Sequence, residues 1–189
     1  MGNIVNVRLI VPGENADAGF VGHYDMQIMG AITIGGKSLN NPVFSYRTLD
    51  GGRLDIFDGD KSSTVYCYYS DGSGLNDTYA RCDVYKWTTI ASANDLTNFI
   101  ARLTETIANA ESNLDGRGWK CKLKEGSPFQ RYLLNYYNCF HAVAVWMKWL
   151  GETRFSIIHK MEHDNAAAKY SATKMMNKFS GASNWVSIL

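Results

Sequence analysis

No stretch of about 18 apolar residues occurs in this chain of 189, which excludes a membrane-spanning helix of ordinary length. Neither sign of charge dominates. With 19 basic and 18 acidic side chains the formal net charge is +1, too little field to gather a polyanion, so nucleic acid is not an expected partner. Cysteine is scarce and scattered. Cys67, Cys82, Cys121 and Cys139 form no Cys-x-x-Cys pair, and His159 and His163 stand at helical spacing without a convincing third ligand. No metal and no cofactor is therefore expected. Cys67 and Cys82 flank a turn-rich segment, where they pair only in an oxidising compartment; isolated reduced thiols are the alternative. The start, Met1 to Arg8, lacks the basic region and apolar core of a signal peptide, and Asn6 stands where a myristoylation motif needs Ser or Thr. Also missing are a Gly-x-Ser-x-Gly elbow, a phosphate loop after Gly35-Gly36 or Gly51-Gly52, and a paired-carboxylate pattern of the glycosidase type.

What is present is ordinary in bulk, at 46% hydrophobic and 20% charged, and suits a single domain over residues 1–189. Aromatics reach 13%, with 11 Tyr and 5 Trp; such amphipathic rings either fill the core or line a groove or partner surface. The first half reads as strands. Ile4 to Val11 alternates apolar and polar residues until Pro12-Gly13-Glu14-Asn15. Phe20 to Ile34 holds two short runs split near Gly30, Val43 to Arg47 another, and Thr64 to Tyr69 and Tyr79 to Trp87 a further pair. The second half reads as helices. Ser92 and Asp95 make a capping-box-like start, followed by Leu96, Phe99, Ile100, Leu103 and Ile107 at helical spacing. Asp115 to Pro128 reads as a glycine-rich loop. Tyr132 to Leu150 is strongly apolar and stops at Gly151, and Ala166 to Phe179 closes with Gly181. The expected class is α+β, an antiparallel sheet followed by packed helices.

The chemistry concentrates around Asn138-Cys139. Asn138 is a good N-cap, which sets Cys139 in the first turn of an apolar helix. Backbone N–H groups and the positive end of the helix dipole favour a thiolate there and stand ready for an oxyanion beside it. A buried structural cysteine is the plain alternative. The second element is Gly22-His23, opening a strand-like run. An imidazole projecting from a sheet edge toward a helix start takes the thiol proton and later protonates the leaving group. His141 is the rival base, but two helical positions turn it roughly 200° from Cys139.

Gly22-His23 entering a strand, Phe44-Ser45-Tyr46 on a following strand, a helix, and then Tyr132-Leu133-Leu134 leading to Asn138-Cys139 resemble the permuted papain-like superfamily. That group holds lecithin:retinol acyltransferase-like proteins, PPPDE peptidases and permuted relatives of NlpC-type cell-wall peptidases, and in it the His precedes the Cys. The resemblance spans about residues 20 to 151 and leaves 161–189 as a C-terminal extension. It implies a circularly permuted papain-like fold, Cys139 as nucleophile and His23 as base. The third residue, which orients the imidazole, is His, Asn or Asp in the family; here Ser45 or Asn41 fills that place. The implied activity is amide hydrolysis through a thioacyl intermediate, on a peptide or on peptidoglycan stem peptides. Small soluble domains of this kind look similar to type VI secretion effectors, toxins made in the bacterial cytoplasm, delivered to a target-cell periplasm and blocked by an immunity protein. A thiol acyltransferase or lipase of the same fold is one alternative, though the lipid-acting relatives usually carry an anchor that this chain lacks, so stable membrane insertion is not expected. A non-enzymatic protein-binding module is the other.

Overall fold

The computed structural model describes residues 2–12, 23–47, 52–59, 82–123, 139–152 and 185–187. Ten strands and two helices lie among these. They run β1 (Asn3–Pro12), β2 (His23–Ile28), β3 (Ala31–Ile34), β4 (Lys37–Asn40), β5 (Val43–Arg47), β6 (Arg53–Phe57), β7 (Cys82–Ala91), α1 (Ala93–Ala108), β8 (Glu111–Leu114), β9 (Gly118–Lys122), α2 (Cys139–Trp149) and β10 (Trp185–Ser187). Eight strands form one sheet in the order β10-β7-β1-β2-β5-β6-β9-β8, every neighbouring pair antiparallel, while β3 and β4 make a separate hairpin. The class is α+β, as expected.

Alternation along the strands decides which face is the core. Val7 pairs with Met26, Met26 with Phe44, Phe44 with Ile56, and Ile56 with Trp119, so one transverse row is apolar across five strands. Val5, Tyr24, Ile28, Tyr46, Leu54 and Cys121 join that face. Both helices cover it. α1 supplies Phe99, Leu103 and Ile107, and α2 supplies Ala142, Val143, Trp146 and Met147. Phe44 is the meeting point, with the Phe99 ring edge-on at 5.3 Å and the Trp146 ring at 6.1 Å; such pairs add about 0.5–1.5 kcal/mol beyond their burial.

The helix ends follow their sequence signals. Ser92 Oγ accepts from the Asp95 N–H at 3.2 Å and donates to the Asp95 carboxylate at 2.5 Å, which caps α1. At the end of α2 the Gly151 N–H donates to Lys148 O and the Glu152 N–H to Met147 O, with Gly151 at φ 74. That is the Schellman arrangement, and only glycine takes the left-handed position without strain.

Two expectations fail here. The helices do not simply follow the sheet, because β8 and β9 lie between them and return to it. The segment from Asp115 to Pro128 is not a loop throughout either, since Gly118–Lys122 is a strand between β6 and β8. Gly118 is required at its start: at φ 150, a Cβ there would run into Ile56 O. The expected strand at Thr64–Tyr69, the helix at Ala166–Phe179, the first part of the Tyr132–Leu150 run, and Cys67, Asn138, His159 and His163 lie outside the described residues, as does 161–189 apart from β10.

The β8–β9 turn hangs on Asp115. Its Oδ1 accepts the Arg117 N–H at 2.7 Å and the Gly118 N–H at 3.1 Å, and Oδ2 meets Lys120 Nζ at 2.9 Å. The Lys120 bond chiefly, then the Arg117 N–H, lowers the carboxyl to about 2. A depressed carboxyl contributes its stability above the ordinary value of about 4 and loses it as pH falls toward 2. Protection of the Gly118 amide, measured relative to its intrinsic exchange rate, is thus expected to fall between about pH 4 and pH 2 in the wild type and to change little there in Asp115→Asn. The pair is exposed and screened, so the global cost of Asp115→Ala is expected at only about 0.5 kcal/mol by urea titration.

Candidate active site

β2 is a central strand, and its odd and even residues face different worlds. Tyr24, Met26 and Ile28 belong to the helix-covered core. His23, Asp25 and Gln27 turn to the other face. That second face is not solvated at its centre: Asp25 and Ser45 are fully buried, His23 is 7% exposed and Asp55 is 5% exposed. Buried polar groups of this density need mutual satisfaction. Arg8, directly opposite Asp25 on β1, supplies it with a forked contact, Nε to Oδ1 at 2.6 Å and Nη2 to Oδ2 at 2.7 Å.

His23 starts β2, and its Nε2 lies 2.9 Å from Ser45 Oγ on β5. Ser45 pairs in register with Asp25, which makes His23 its diagonal neighbour on the same face. One nitrogen of the ring is thereby tied to the neighbouring strand.

Cys139 is the first residue of α2 and is 8% exposed. Its Sγ accepts the Tyr24 N–H at 3.5 Å. The direction of that N–H explains why a sulfur reaches it. On β2, the Ile28 N–H bonds Pro42 O toward β5, while the Met29 N–H bonds Ile4 O toward β1. Even-numbered amides therefore aim at β5, but the register between the two strands begins only at Asp25–Ser45. Sγ sits on this seam, one residue along the backbone from His23. The Tyr24 phenol shares the neighbourhood: burial above all, and then the Cys139 charge, push it well above the usual phenol range. It stays a neutral hydroxyl beside the sulfur.

No family model, curated protein or solved structure matches this chain.

His23 and Ser45 thus meet on one face at the start of β2, and Cys139 reaches the backbone amide of the next residue, Tyr24, from the helix-covered side. Asn41 does not join them. It occupies the turn before β5 at φ 46, and its Oδ1 accepts the Gly30 N–H at 2.7 Å, at the opposite end of β2 from His23. That is the work of a turn asparagine, which tolerates the left-handed conformation and bonds nearby backbone. His141 is half-buried on α2. Three residues of the neighbourhood have no part in the sequence-based site: Tyr24, Asp25 and Arg8. Their signal was nonetheless in the chain. Asp25 in His-Tyr-Asp-Met-Gln-Ile and Arg8 in Ile-Val-Asn-Val-Arg each put a charge at the polar phase of an otherwise apolar strand, and two central strands with opposite charges in phase are a pairing signal.

Among the described residues, no helix is long and apolar enough to cross a membrane.

Proposed function

We propose that this chain is a cysteine-dependent amide hydrolase of permuted papain-like architecture, with Cys139 as nucleophile, His23 as base and Ser45 as the residue that orients the imidazole. One observation carries it: the thiol at the start of α2 accepts the amide of Tyr24, while the adjacent His23 is anchored on Ser45 at 2.9 Å. A sulfur that accepts a backbone N–H is set up to carry negative charge. The imidazole, tied to Ser45, is the proton acceptor.

The chemistry follows. The thiolate attacks the amide carbonyl, and the tetrahedral oxyanion is met by backbone N–H groups at the start of α2. Collapse breaks the C–N bond; the imidazolium gives its proton to the departing amine and leaves a thioester on Cys139. Water, deprotonated by the same imidazole, then attacks the thioester, releasing the carboxylic acid and the thiol. The substrate class is a peptide, and the cell-wall stem peptide is the member to test first. In that setting the protein is a toxin, delivered across an envelope and neutralised by an immunity protein that covers the site.

The test is reactivity at pH 7. Iodoacetamide labelling, mapped by mass spectrometry, is expected to modify Cys139 at least about tenfold faster than a free cysteine peptide, and His23→Ala is expected to remove the excess. Cys121 is the internal control. Burial pushes its thiol up, with the Ser112 hydroxyl working against that and the Asp55 charge with it, so it should stay unlabelled. Equal, slow labelling of both thiols would sink the proposal.

A second reading has its own observation. Successive strand residues point to opposite faces, so the His23 ring shares the Asp25 face while Tyr24 and Cys139 belong to the helix-side core. If ring and sulfur never meet across the seam, His23–Ser45 is a buried polar pair, Cys139 is a core thiol, and the chain is a binding module. Slow labelling of Cys139 is the result that selects it.

A further inference from the structure

We draw no further inference here: the strongest candidate, the exposed apolar pair Ile4 and Ile90 that face each other in register on β1 and β7 at one end of the polar sheet face, carries nothing, because nothing in the structure shows what covers it.

Discussion

Cys139→Ala is expected to abolish hydrolysis of muropeptides prepared from digested cell wall, by about a thousandfold or more in kcat/KM, with the wild-type fold retained. The size follows from the mechanism. Without sulfur there is no thioester, and the reaction falls back on whatever binding and oxyanion contacts give to direct attack by water. The loss is readable because the substitution removes one atom from a site at the edge of the core, where a cost of about 1 kcal/mol is the ordinary expectation, and circular dichroism then separates inactivity from unfolding. His23→Ala is expected to fall by a similar factor, and the double variant no further than either single one, since nucleophile and base act as a unit. Ser45→Ala is expected to lose only about tenfold, being one contact removed from the reacting atoms. Retained turnover in Cys139→Ala, measured by mass spectrometry of released fragments, would move the nucleophile elsewhere. An additive double variant would mean that the two groups do not work together.

How much of this was legible in the chain depends on which signals are local. The ends of α1 and α2 were, because Ser92, Asp95 and Gly151 act within a turn of themselves. The strands β1, β2, β3 and β5 were, because Val, Ile, Phe and Tyr alternate over them and Gly30 and Gly35-Gly36 break them. β9 was not. Gly118-Trp119-Lys120-Cys121-Lys122 alternates correctly, yet its glycine and two lysines read as loop, and only the sheet tells that Trp119 and Cys121 turn inward. β8 carries no signal, since Glu111 to Leu114 is exposed throughout and lies at the sheet edge. The site divides the same way. Cys139 and His23 were found as residue types at element starts, and Ser45 as a polar position on the next strand. The separation of Ser45 from Asn41 required the register, which puts one beside His23 and the other at Gly30. The partners Arg8, Asp25 and Asp55 are visible only once β1, β2, β5 and β6 are known to be neighbours, because a transverse row takes one residue from each strand and has no contiguous trace in the sequence.

That row should also dominate the response of stability to single substitutions. Arg8→Met is expected to cost about 3–5 kcal/mol, because it leaves the fully buried Asp25 carboxylate without its forked partner in a dry site. No other cation can step in from the same strand pair: Lys86 sits opposite Arg8 on β7, one strand further from Asp25, and adjacent strands are about 4.8 Å apart. At this chain length each kcal/mol moves the unfolding midpoint by about 2–4 °C, so thermal denaturation should show a fall of roughly 6–20 °C. The double variant Arg8→Met/Asp25→Leu is expected to recover most of the loss, since apolar residues of similar size often replace a buried ion pair at little or no cost. Should Arg8→Met cost less than about 1 kcal/mol, Asp25 is not held as a buried charge by Arg8.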